Sequence, residues 1–134
     1  MTALSNYLEN ELIDHILRNA AYSSPGTDVY IALYTDTQGD SDSGTEVNGN
    51  GYARVNVTSW DAPTNGATAN TAEIDFGTAS GGAWGTINSI GIKDSSTTSG
   101  ADNLLFHGSL DSPKTVNDGD GFKIAAGDLD VTLA

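Results

Sequence analysis

Carboxylates are the only reactive groups that this chain carries in number, and four of them share one polar segment. Asp36, Asp40, Asp42 and Glu46 lie between two strand-like runs. Loop carboxylates are oxygen ligands of the kind that Ca²⁺ prefers, so these four residues are candidate ligands. However, Gly44 stands where an EF-hand loop needs a third oxygen side chain, and no helix flanks the segment. Acidic residues also suit solvated turns, which explains the cluster without a metal.

Two carboxylates can also catalyse glycoside hydrolysis, but that reaction needs a cleft with aromatic platforms. The aromatic residues are scattered, and a chain of 134 residues rarely builds such a cleft. His15 and His107 have no second His or Cys at metal-ligand spacing, and the chain has no cysteine. The sequence therefore predicts a protein that is not an enzyme and that needs no cofactor, with Ca²⁺ as the one candidate ion.

The charge balance limits the partners that the protein can bind. Five Lys and Arg residues against 18 Asp and Glu residues give a net charge of −13. Nucleic acids and anionic membrane surfaces are bound through basic patches, so both are excluded as partners. We see no basic and apolar leader typical of a signal peptide, and no stretch near the ~20 apolar residues of a membrane span. The sequence thus predicts a chain made in the cytoplasm.

One amphipathic segment precedes the rest of the chain. Leu4, Leu8, Leu12 and Ile16 recur every four residues, which predicts a helix over residues 4–20 with Ser5 or Asn6 as its cap. The apolar stripe either covers one end of the core or docks onto a partner. Six residues on or near this helix are therefore candidates for contact with a neighbour: Leu4, Tyr7, Leu8, Leu12, Ile16 and Tyr22.

Short strand-like runs separated by turn residues fill the remainder of the chain. Residues 29–35 are apolar on both faces, and Ile74 and Phe76 alternate with acids. In residues 52–60, Val55 and Val57 lie on one face of the predicted strand, and Arg54 lies on the other. About seven or eight strands at this spacing indicate a mainly β fold, an antiparallel, jelly-roll-like β-sandwich with one N-terminal α-helix. We expect one domain over 1–134, with the helix at 4–20 and the sandwich at 28–134.

The order of motifs along the chain resembles a family of small tailed-bacteriophage virion proteins, often labelled tail fibre proteins. The similarity spans nearly the whole chain, and the segments that carry it are Leu4–Asn10, Val29–Thr35, Gly44–Val47, Gly51–Arg54, Ala62–Ala67, Ile74–Phe76, Trp84–Thr86, Ile90–Asp94, Asn103–Gly108 and Ala126–Leu129.

This resemblance implies a non-enzymatic structural protein of the virion, synthesised in the host cytoplasm. Its partners would be other copies of itself and other virion proteins, either the major capsid protein or tail proteins. The helix, the acidic exterior and the small size favour a capsid decoration (cement) protein that binds the capsid lattice in many copies. The alternative is a tail-fibre or tail-tip module that recognises a host-surface glycan, with exposed aromatic residues beside the acidic loops.

Overall fold

The computed structural model describes residues 2–22, 28–98 and 101–133. Over these residues it contains one helix, α1 (Asn6–Leu17), and nine strands: β1 (Ala3–Leu4), β2 (Val29–Tyr34), β3 (Val55–Val57), β4 (Ala67–Ala69), β5 (Ile74–Thr78), β6 (Gly85–Lys93), β7 (Leu104–Val116), β8 (Gly121–Ile124) and β9 (Asp130–Thr132). The predicted mainly β fold with one N-terminal helix is confirmed. The strands β1 and β4 are additional to the predicted runs. No helix in the described ranges is long and apolar enough to cross a membrane.

All the strand pairs are antiparallel. Five strands form the main sheet in the order β1-β7-β6-β2-β3, and two shorter ladders pair β4 with β9 and β5 with β8. The long strand β6 lies at the centre of the main sheet, between β2 and β7. This arrangement joins segments that are far apart in sequence, because β2 and β6 are separated by three other strands.

The core lies between the main sheet and the two ladders. Ile31 and Leu33 of β2 and Ile87 of β6 are fully buried. From the ladders, Ile74 and Phe76 belong to the same apolar cluster, and they point inward as their alternation with acids predicted. One apolar cluster therefore holds both layers together, as expected of a β-sandwich.

The helix is shorter than residues 4–20 because other contacts fix both of its ends. Leu4 pairs with Phe106 in the β1–β7 ladder, and Ser5 caps α1 by accepting a hydrogen bond from the Leu8 backbone N at 3.2 Å. At the other end, Asn19 has a φ of 53°, a left-handed conformation that ends a helix. The Ser5 N–H also donates to the Leu105 carbonyl at 2.9 Å, so the start of α1 is tied to β7.

Candidate functional site

The acidic loop after β2 is organised by one buried amide, Gln38. Its side chain is almost fully buried, and its Oε1 accepts from the backbone N–H groups of Gly39 at 3.1 Å and Gly44 at 2.8 Å. Its Nε2 donates to Oδ1 of Asp42 at 2.8 Å. Each polar atom of the Gln38 side chain is thus used to hold the loop closed.

Asp36 closes the base of the same loop. Its Oδ1 accepts from the Thr45 backbone N–H and its Oδ2 from the Thr45 hydroxyl, both at 2.8 Å. These hydrogen bonds, led by the backbone one, favour the carboxylate and lower the pKa of Asp36 below its usual 3.8. Asp36 therefore has a structural role in the loop.

Beside the loop, Arg54 is buried between two carboxylates. Its side chain is 3% exposed, and it contacts Glu46 at 2.7 Å and Asp102 at 2.7 Å. Burial disfavours its charge, but the hydrogen bonds to Glu46 and Asp102 outweigh that cost and raise the pKa of Arg54. Although sequence alternation places Arg54 opposite Val55 and Val57, the segment leading into β7 covers it, and the Ser95 carbonyl accepts from its Nη1 at 2.8 Å.

Lys93, at the end of β6, extends this group of charges. Its side chain is 4% exposed, and its Nζ lies 2.6 Å from Asp42 and 3.4 Å from Asp102. Asp102 thus bridges the two buried bases. We call these five residues the ion-pair network: Asp42, Glu46, Arg54, Lys93 and Asp102.

Tyr52 connects the ion-pair network to the core. Its hydroxyl accepts from the Leu33 backbone N–H and donates to Oε1 of Glu46, both at 2.9 Å. Burial, more than the nearby Glu46 charge, raises the pKa of Tyr52, so the hydroxyl keeps its proton and its donor role. The ring packs edge-on against Trp84 at 5.7 Å between centroids.

A surface pocket of about 170 Å³ opens beside the ion-pair network. The start of α1, the acidic loop and the chain entering β7 contribute its lining, which we call the polar pocket: Ser5, Asn6, Tyr7, Asp40, Ser41, Asp42, Asp102, Asn103 and Leu104. The helix and the loop are joined directly, because the Asn6 N–H donates to the Asp40 carbonyl at 3.0 Å. The pocket combines one aromatic ring with carboxylate, amide and hydroxyl groups.

Asp40 has the most exposed side chain of the three carboxylates that line the polar pocket. Its Oδ1 lies 2.7 Å from Nε2 of His107, and its side chain is 57% exposed. In contrast, both carboxylate oxygens of Asp42 and of Asp102 accept hydrogen bonds from protein side chains. Asp40 is therefore the carboxylate best placed to accept hydrogen bonds from a bound molecule.

A second, larger depression of about 380 Å³ is almost entirely apolar. It lies between α1, β9 and the turn before β4, and we call it the apolar groove; its lining includes Leu8, Leu12, Tyr22, Val29, Trp60, Phe106, Val131 and Leu133. The Trp60 ring is held in place because its Nε1 donates to the Val57 carbonyl at 3.2 Å.

The six interface candidates lie in different environments. Leu8 is buried in the core of its own chain, whereas Ile16 is 72% exposed. Leu4, Tyr7, Leu12 and Tyr22 are partly buried against the core, with Leu12 and Tyr22 in the apolar groove and Tyr7 in the polar pocket. The predicted stripe is therefore divided between intramolecular packing at its start and solvent exposure at its end.

The four calcium candidates each have a partner in the protein. Asp36 bonds to Thr45, Asp40 to His107, Asp42 to Gln38 and Lys93, and Glu46 to Arg54 and Tyr52. Among residues 2–22, 28–98 and 101–133, no group of three or more His, Cys, Asp or Glu side chains is placed to hold a metal ion. Calcium binding by this loop stays a prediction.

Sequence reasoning missed Gln38, Lys93 and Asp102. A signal for Lys93 was present, since it ends a strand run in a chain that has only five basic residues. Gln38 gave no signal, because a glutamine in a polar loop is usually exposed.

Comparison with known proteins identifies the family of this chain. No curated protein matches it significantly. A family model described as "Podophage GP4 fiber I protein gp80" matches residues 3–132, which is nearly the whole sequence. The chain therefore belongs to this family of structural fibre proteins of the phage virion.

Proposed function

We propose that this protein is a non-enzymatic fibre module of the phage tail that recognises a glycan on the host surface through its polar pocket. The fibre family supports a position in a fibre. The size and charge of the chain, taken alone, favour decoration of the capsid lattice. The observation that carries glycan recognition is the placement of Tyr7 beside Asp40 and Asn103 at the surface.

The chemistry of the polar pocket fits a sugar. A tyrosine ring offers a flat apolar surface for the C–H face of a sugar ring, while carboxylate and amide oxygens accept hydrogen bonds from its hydroxyl groups. At about 170 Å³ the pocket is smaller than sites for drug-sized ligands, so it would hold one sugar unit. The carboxylates would repel sialic and uronic acids, so the expected ligand is a neutral sugar or an amino sugar.

The same geometry supports binding without hydrolysis. Glycoside hydrolysis needs one carboxyl group free to act as nucleophile or base and another as acid. In Asp42 and Asp102 both carboxylate oxygens are engaged by Gln38, Lys93 and Arg54. Among the three carboxylates that line the polar pocket, only Asp40 keeps an oxygen without a hydrogen bond to the described residues, so this pocket lacks a catalytic pair.

The fibre position is tested by imaging intact particles labelled with an antibody against this protein. We expect the label at the tail. A label spread over the capsid shell would overturn the fibre position and favour the decoration role, which add-back of the protein to undecorated capsids would then test.

Glycan recognition is tested separately, with purified protein on a glycan array. Asp40→Asn keeps the shape of the side chain but removes its charge, and Tyr7→Ala removes the ring. Asp128→Asn is the matched control, because Asp128 is exposed, lies outside the polar pocket and makes no side-chain hydrogen bond to the described residues. We expect the first two variants to lose binding and the control to keep it. An array without any wild-type signal would reject glycan recognition.

A further inference from the structure

We propose that His107 is a positioning residue of the polar pocket. It holds one carboxylate oxygen of Asp40, so that the other oxygen accepts a hydrogen bond from a hydroxyl or amino group of the sugar. This role rests on the proposed glycan recognition and adds a residue to it. His107 is not among the residues that line the polar pocket, so we expect it to act through Asp40 rather than by touching the sugar.

The hydrogen bond between these two side chains has one possible direction. Nε2 of His107 lies 2.7 Å from Oδ1 of Asp40. An ionised carboxylate only accepts hydrogen bonds, so the ring nitrogen carries the proton and donates. Oδ2 of Asp40 has no hydrogen bond to the described residues. The contact therefore occupies one oxygen and leaves the other for a bound molecule.

The main sheet fixes the position of the donor. His107 belongs to β7, where its backbone lies opposite Ala3 of β1 on one side and Gly91 of β6 on the other. Its side chain is 12% exposed, whereas that of Asp40 is 57% exposed. Close packing restricts the rotamers of a side chain that is mostly buried. The exposed carboxylate is thus held by a donor with little freedom of its own.

The acidic loop is held in place by contacts other than that of His107. The Asn6 N–H donates to the Asp40 carbonyl at 3.0 Å, and two backbone N–H groups of the loop donate to Oε1 of Gln38. A side-chain pair with one partner this exposed also contributes little to stability. The His107 contact therefore acts on the carboxylate of Asp40 rather than on the fold of the loop.

Holding the Asp40 carboxylate before the sugar arrives lowers the cost of binding. A free, exposed aspartate samples several rotamers, and a ligand would have to select one of them. Ordering one side chain on binding corresponds to about two- to tenfold in affinity. The hydrogen bond from Asn6 also places the Asp40 backbone beside the residue that precedes Tyr7. His107 thus helps to fix the carboxylate relative to the proposed ring platform.

The contribution to binding is tested with purified protein, titrated with galactose, glucose, N-acetylglucosamine and glucosamine as probes. His107→Phe keeps a ring but removes the donor, whereas His107→Gln keeps an N–H donor at similar reach. We expect His107→Phe to bind the sugar that the wild type prefers about two- to tenfold more weakly, and His107→Gln to recover most of the affinity. His15→Phe is the matched control, because His15 lies in the last turn of α1, outside the polar pocket, and this variant should bind like the wild type.

NMR of the free protein measures the positioning without a sugar. Couplings across the Cα–Cβ bond of Asp40 should report one χ1 rotamer in the wild type, in His107→Gln and in His15→Phe, but averaged rotamers in His107→Phe. Melting temperatures check that the variants fold. Averaged rotamers in the wild type would overturn the proposal even if His107→Phe did not fold.

These outcomes separate the role of His107 from glycan recognition itself. If the wild type binds a sugar and His107→Phe binds it equally well, the positioning role is wrong while glycan recognition stands. If the wild type binds none of the probes, the glycan array decides glycan recognition, and the Asp40 rotamers decide whether His107 positions the carboxylate.

Discussion

Arg54 and Glu46 meet in a forked ion pair, with Nε 2.8 Å from Oε1 and Nη2 2.7 Å from Oε2. Asp102 accepts two further hydrogen bonds, from Nη1 at 2.7 Å and from Nη2 at 3.1 Å. The guanidinium therefore joins the edge of the main sheet to the segment before β7. Such a buried group stabilises the fold only while all of its partners are present, because a lone buried charge is costly.

Replacing Arg54 by Met should lower the free energy of unfolding by about 3–5 kcal/mol, since Glu46 would lose its ion pair with Arg54 and Asp102 would be left with Lys93 at 3.4 Å. Urea denaturation measures the change. Arg18→Met is the control, because the Arg18–Asp14 pair is largely exposed and such a pair contributes below about 0.5 kcal/mol. Equal effects of the two changes would contradict a structural role for the ion-pair network.

Protonation of the Asp36 carboxylate should make the protein less stable in acid. Its folded pKa lies below the usual 3.8, so between the two pKa values the unfolded chain binds the proton more readily than the folded chain. The contribution of Asp36 is thus fully present above pH 3.8 and is lost as the pH falls through its folded pKa. Melting temperatures measured from pH 6 downward should fall less steeply for Asp36→Asn than for the wild type.

The comparison for Asp36 is Asp128→Asn, which removes an exposed carboxylate that makes no side-chain hydrogen bond to the described residues. Its acid profile should follow that of the wild type. If the two variants had the same profile, the Thr45 hydrogen bonds would not be the origin of the effect.

Local patterns were enough to predict the elements of this fold that depend on neighbours in sequence. The helix and the inward alternation of Ile74 and Phe76 follow from spacing, and residue type limited the cap to Ser5 or Asn6, of which the structure has Ser5. The strand β4 was missed because its Ala-Thr-Ala sequence has weak strand propensity. The strand β1 was missed because Leu4 continues the apolar stripe of the helix and yet pairs with β7.

The ion-pair network could not be predicted because Asp102 and Lys93 are distant in sequence from the residues that they contact. Asp102 lies 48 residues after Arg54, and Lys93 lies 51 residues after Asp42; these residues come together because β2 pairs with both β3 and β6. Sequence patterns record periodicity along one segment and carry no information on such pairs. The polar pocket also combines distant segments, since Tyr7 of α1 and Asp102 before β7 both line it.

Gly91 should not tolerate even one added methyl group. A Cβ at this position would lie 2.8 Å from Cδ1 of Leu104 and 3.0 Å from Cε2 of Tyr34, both in buried side chains. Gly91→Ala should therefore destabilise the protein by about 1–3 kcal/mol through overpacking. Gly39→Ala is the control, because a Cβ there meets no atom within 4 Å. Equal urea midpoints for the two variants would show that the sheet adjusts without cost.

Gln38→Leu should open the acidic loop. The change removes the acceptor for the Gly39 and Gly44 N–H groups and the donor to Asp42, and it should lower the free energy of unfolding by about 2 kcal/mol or more. Ser41→Ala in the same loop is the control, since that hydroxyl has only a 3.5 Å contact with Ser43. Hydrogen exchange gives the local readout: the Gly44 amide should exchange faster in Gln38→Leu and at the wild-type rate in Ser41→Ala. Unchanged exchange at Gly44 would mean that Asp36 and Thr45 alone hold the loop in place beside the polar pocket.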